Sequence, residues 1–180
     1  MVDTTFPYQI VIFTQHYSIA GGLFIRDQRV SDFLNNRSET TILLRNASVA
    51  RLEEPAKILE KTPISVIPKA GIVLVFEPPQ KTAPPGRQFV KYPKQKYDVF
   101  LATDGMEVHG QLNMHGPLDL RHAITDATES FLPITKATVM VKANPALILK
   151  REAVLVNVQR IRFLGEMEQQ TPPEEKPQGQ

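Results

Sequence analysis

Two stretches of the chain alternate apolar and polar residues in the same way, about ninety positions apart. Tyr17, Ile19, Gly21 and Leu23 take every second position of the first, and Met106, Val108, Gly110, Leu112 and Met114 every second position of the other. A period of two is that of a strand with one face buried. A short apolar run precedes each stretch, Tyr8 to Thr14 and Tyr97 to Thr103. A change to helical spacing follows each. Val30, Phe33 and Leu34 stand at i, i+3 and i+4, and Leu120, Ala123 and Ile124 form the matching stripe. Both predict a helix of roughly two turns. Asn35-Asn36 can end the first, because Asn tolerates a left-handed backbone. Pro117 sits well at or just before the first turn of the second.

The correspondence continues along the chain. Ile42-x-Leu44-x-x-Ala47-x-Val49 aligns with Leu132-x-Ile134-x-x-Ala137-x-Val139, and Ile64-x-Val66 with Val154-x-Val156. In the first copy, strands are expected over 41–44, 47–52, 64–67 and 72–76, with a less regular segment over 53–62. In the second, 130–141 supplies one or two strands, Asn144-Pro145 signals a turn, and 152–165 closes the unit. Gly21-Gly22 marks a bulge or a close backbone approach.

The predicted fold is mainly β. It consists of two tandem small β-barrel or roll repeats, each of about five strands with one short helix between the second and third. A unit of this size is marginal alone, and its strand edges need covering. The two are therefore expected to pack as a pseudo-dimer. The expected boundaries are a first repeat over 8–77, a connector over 78–96, a second repeat over 97–166 and a disordered tail over 167–180.

Composition adds limits. The 180 residues are 42% hydrophobic and 22% charged, ordinary for a globular chain. Cysteine is absent, which excludes a disulfide framework and a thiolate zinc site. The first residues lack a signal-peptide pattern, and no apolar run approaches the ~20 residues of a membrane helix. A cytoplasmic protein is expected. The proline-rich connector carries Lys81, Arg87, Lys91, Lys94 and Lys96 against Glu77, a net of +4, whereas the whole chain carries +2.

Candidate chemistry is sparse. His109, His115 and His122 lie close in sequence but lack the carboxylate spacing of a metal site. Asp27 with Asp32, and Asp119 with Asp126, read as caps and solvated faces of short helices. No nucleophile elbow, phosphate loop or zinc-protease motif is present. The expectation is no enzyme, no cofactor and no metal. In the connector, Arg87, Lys91, Lys94 and Lys96 interleave with Phe89 and Tyr92, and Arg160 and Arg162 alternate with Ile161 and Phe163. Cations among aromatics suit single-stranded nucleic acid, where rings stack on bases and lysines meet phosphates. Arg87, Lys91, Tyr92, Lys94, Lys96, Arg160 and Arg162 are thus the candidate contacts for an anionic ligand.

The pattern Tyr17-x-Ile19-x-Gly21-x-Leu23, followed by Arg29-Val30-Ser31-Asp32-Phe33-Leu34-Asn35, resembles a bacterial domain family of unassigned function. The second copy, through Asp104-Gly105-Met106-Glu107-Val108-His109-Gly110-Gln111-Leu112, also resembles the Sm-like small barrel, a family that binds single-stranded RNA as rings. Taken together, these readings predict a non-catalytic interaction or scaffolding protein with a protein partner or a second copy of itself. Sm-like binding of RNA or another anionic ligand through the connector is the alternative.

Overall fold

A computed structural model of the chain describes residues 8–25, 28–76, 94–125 and 129–168. The tail from 169 onward and nearly all of the connector, with Arg87, Lys91 and Tyr92, lie outside the described residues. The first half runs β1 (Tyr8–Thr14), β2 (Tyr17–Leu23), α1 (Val30–Asn35), β3 (Thr41–Arg51), β4 (Ile58–Pro68) and β5 (Ile72–Phe76). The second runs β6 (Gln95–Thr103), β7 (Met106–Met114), α2 (Leu120–Thr125), β8 (Phe131–Val141), β9 (Asn144–Asn157) and β10 (Ile161–Glu166). A 3-10 turn precedes each last strand, at Lys69–Gly71 and Val158–Arg160.

Mainly β is the observed class, but the barrels expected from the sequence are not closed. All ten strands form one open antiparallel sheet in the order β10-β6-β7-β8-β9-β5-β1-β2-β3-β4. The reason lies at β5. It pairs with β1 on one side and with β9 on the other, so the sheet runs on from one half into the next.

The residues expected as two strands over 41–52 make one long β3, and 131–141 makes one long β8. Each bends at a residue with positive φ, Asn46 (φ 49) and Lys136 (φ 47). These lie where the pairing register with β2 and β7 skips a residue, which is the behaviour of a β-bulge. Gly21 and Gly110 stand opposite. A Cβ on Gly110 would lie 2.5 Å from Ile134 Cγ2 and 2.8 Å from the Thr135 carbonyl, and one on Gly21 3.2 Å from Ala47 Cα. Gly21 therefore permits the close backbone approach its sequence position suggested, and Gly110 permits the same in the second half.

Two further readings are corrected. The segment over 53–62 is strand from Ile58 onward, and Asn144-Pro145 opens β9 while the turn falls just before it. The matched positions in the fourth strands, β4 and β9, also slip by one. Leu43 pairs with Val66, and Pro133 pairs with Leu155. Since Leu43 matches Pro133, Val66 corresponds to Leu155 and Ile67 to Val156. In a strand one residue is the whole difference between faces.

The junction strands carry a core on each face. Ile10, Ile12 and Val75 join Leu23, Val30, Leu34, Ile42 and Leu44 in one buried cluster. Phe13, Leu74 and Phe76 join Val99, Leu101, Val108, Ile134, Val154 and Val156 in the other. Every residue of β5 is buried, which explains its unbroken Ile-Val-Leu-Val-Phe sequence. The halves also exchange plugs. Phe131 of β8 lies in the first cluster, and Leu52, just after β3, lies in the second.

Candidate interaction edges

Among the described residues, strand order leaves β4 and β10 at the two ends of the sheet, each paired on one side. An unpaired edge presents a row of backbone donors and acceptors to any incoming strand. On β4, Ile64 and Val66 are 58% and 61% exposed, beside Leu43 on β3. On β10, Phe163 is 55% exposed. Its ring lies 5.9 Å from that of Phe100, which stacks 4.8 Å from His109. Proline brackets the open window of β4, with Pro63 on one side and Pro68 on the other. Proline lacks the N–H that a ladder needs, so Pro63 and Pro68 set the limits of an uninterrupted pairing segment at Ile64–Ile67.

The internal seam shows what such an edge takes. Across it Leu74 faces Val156 and Val75 faces Leu155. Asn157, buried, donates from Nδ2 to the carbonyls of Lys69 (3.2 Å) and Ile72 (2.9 Å), and its Oδ1 accepts from the Gln159 N–H at 3.0 Å. Arg160 completes the seam by donating from Nε to the Ala70 carbonyl at 2.9 Å. Burial makes the two Asn157 Nδ2 bonds consequential, since an orphaned buried carbonyl costs about as much as a lost hydrogen bond.

The candidate anion contacts fall apart in space. Arg160 holds Ala70, and Arg162 forks onto Asp104 with both bonds at 2.8 Å. The Arg162 hydrogen bond holds the Asp104 carboxyl below the usual carboxylate range. Lys94 and Lys96 are exposed at the start of β6, whereas Ile161, between the arginines, pairs with Thr103 at its end. Thr103 lies seven positions along β6 from Lys96, roughly 23 Å at ~3.3 Å per residue. The described cations therefore make no single patch.

Among the described residues, no three histidine or carboxylate side chains gather as a metal site. His109 lies on β7, with Nδ1 3.4 Å from the Met167 sulfur. The apolar edge residues escaped the sequence reading, because β4 is wet on both faces through much of its length and shows no alternation. The available signal was Ile58-Leu59 and Ile64-x-Val66 beside two prolines. No family model matches the chain, and no curated protein or solved structure gives a match.

Proposed function

We propose that this chain is a non-catalytic interaction protein made of two copies of one β unit, which engages polypeptide by adding strands at the open edges of its sheet. Several repeated local bonds support the duplication. Thr14 Oγ1 accepts from the Tyr17 N–H (3.0 Å) and donates to the Tyr17 carbonyl (3.3 Å), and Thr103 does the same with Met106 at 3.0 and 3.1 Å. Lys69 N–H donates to Thr40 as Val158 N–H does to Ser130, and Leu52 N–H to His16 as Lys142 N–H does to Gly105. The matching strand orders, β5-β1-β2-β3-β4 and β10-β6-β7-β8-β9, agree with this.

The observation that carries the functional reading is the seam itself. There the last strand of one unit accepts the fourth strand of the other, leaving one edge of each type uncovered with exposed Ile64, Val66 and Phe163. Strand addition takes its affinity from main-chain bonds and its selectivity from alternate side chains. The nucleic-acid alternative has less support, since Arg160 and Arg162 are engaged within the protein.

A photo-crosslinking residue placed at position 66, at 163, or at the exposed Lys150 on β9 as control tests the proposal in cells. Polypeptide adducts are expected from 66 and 163 but not from 150. Adducts to RNA, or none at any of the three positions, overturn it.

A further inference from the structure

We infer that the uncovered edges fit each other, so that β10 of one copy of this chain pairs with β4 of the next, head to tail. The inference rests on the edge-binding reading above and names the partner. Its ground is the seam between β5 and β9. If the halves are copies, β10 corresponds to β5 and β4 to β9, so the sheet ends in the two surfaces that already join within it.

The register can be written out. Phe13 pairs with Leu74 and Ile12 with Val75, while Ala102 pairs with Phe163 and Leu101 with Leu164. Phe163 thus corresponds to Leu74, and Leu164 to Val75. On the other side, Ile67 corresponds to Val156 and Val66 to Leu155. Since Leu74 faces Val156 and Val75 faces Leu155 within the chain, Phe163 faces Ile67 and Leu164 faces Val66 between chains. These positions fall inside the window left open between Pro63 and Pro68.

Burial agrees. The face of β1 and β5 bearing Val11, Phe13 and Leu74 is covered by the core of the second half. On the corresponding face of β6 and β10 the Phe100 ring meets those of Phe163 and His109, and Phe163 remains exposed. Likewise Leu155 packs on the first-half core, whereas its counterpart Val66 points to solvent. A second copy supplies the missing cover at both places.

The seam between chains is weaker than the one within. Pro68 and Gly71 occupy the positions of Asn157 and Arg160, so the side-chain bonds to Lys69, Ile72 and Ala70 have no equivalent there. Backbone pairing and apolar contact remain, giving an assembly that opens on dilution. Because each copy offers one edge of each type, the contact is heterologous, and the series ends only by closing into a ring or continues as a filament.

The test measures molar mass by light scattering on the full chain and two variants, Val66→Lys and Phe163→Lys, with circular dichroism to confirm folding. Both positions are exposed, so both variants keep the fold. The unmodified chain is expected to form concentration-dependent oligomers, each variant alone to be monomeric, and their equal mixture to form a dimer through the one intact pairing. Recovery in the mixture excludes loss of assembly through misfolding. A monomeric unmodified chain at the highest concentration reached overturns the inference. So does a variant that still dimerises alone, or a mixture that stays monomeric. If assembly fails while positions 66 and 163 crosslink to other polypeptides in cells, the broader edge-binding function stands and only the identity of the partner falls.

Discussion

Asn35, at the end of α1, exchanges two hydrogen bonds with Phe131, at the start of β8, across 96 residues of chain: Nδ2 donates to the Phe131 carbonyl at 3.3 Å, and Oδ1 accepts from the Phe131 N–H at 2.7 Å. A side-chain amide thus acts as a strand partner where the sheet supplies none. It also fixes the Phe131 ring in the first-half core. Asn35→Ala leaves both backbone groups without their partner, and loss of a buried partner costs about 1–3 kcal/mol. Asn35→Asp keeps the acceptor but sets a carboxylate against the Phe131 carbonyl. Both variants are expected to lower the denaturant midpoint, and a midpoint within error of the unmodified chain for Asn35→Ala would remove the bond from the account.

Lys69 is buried at the seam, and its Nζ donates to the carbonyls of Phe33 (2.7 Å), Leu34 (3.1 Å) and Asn36 (3.0 Å), closing the C-terminus of α1. A cation there also meets the negative end of the helix. Lys69→Met keeps the stem but strips three carbonyls of their donor, with an expected loss of about 1–3 kcal/mol. Guanidinium unfolding checks it.

The same lysine makes stability depend on alkaline pH. Burial lowers its pKa from the ordinary 10.5, although Glu39 opposes the shift. Between the lowered folded value and 10.5 the unfolded chain binds more protons than the folded one, so the Lys69 contribution to stability rises with pH there. Lys69→Met is expected to lack that rise. Identical alkaline slopes in the two proteins would contradict the assignment.

Asp104 titrates in the same sense, but at acid pH. The Arg162 hydrogen bond depresses its pKa, so the pair's contribution is present at neutral pH and is lost as pH falls through the folded value. NMR titration of the Asp104 carboxyl is expected to give a midpoint below the ordinary carboxylate range, moving up in Arg162→Ala. An unmoved midpoint would show that the fork between the β6–β7 turn and β10 does not persist in solution.

The two bulge glycines should differ in tolerance. On Gly110, a methyl meets Ile134 Cγ2 and the Thr135 carbonyl at 2.5 and 2.8 Å, whereas on Gly21 the nearest atom is 3.2 Å away. Overpacking of this kind costs typically ~1–3 kcal/mol. Gly110→Ala is expected to fall in that range and Gly21→Ala below it, by thermal melting of the two variants.

The local pattern carried much of this fold. Strands β2 and β7 and the stripe of α1 follow from periodicity, because each turns one face to a core, whereas β1 follows from its apolar run, because both its faces meet a core. The start of β4 was not legible, because Ile58 to Lys61 are all exposed at the sheet end and no burial constraint imposes an alternation on them. The joining of both halves into one sheet was hidden for a different reason. It rests on Leu74 with Val156 and Val75 with Leu155, pairs about eighty residues apart that leave no local signature. Arg160 and Arg162 read as ligand contacts by residue type, and their partners Ala70 and Asp104 are equally remote in sequence.

Strand β5 has one last consequence, for how the molecule comes apart. Its five residues divide between both cores, so neither core survives the departure of this strand. Melting is therefore a single cooperative transition, in which damage to one half lowers the midpoint seen by probes in the other. Two halves with matching strand orders would ordinarily be independent folding units, whereas here the shared strand makes them one.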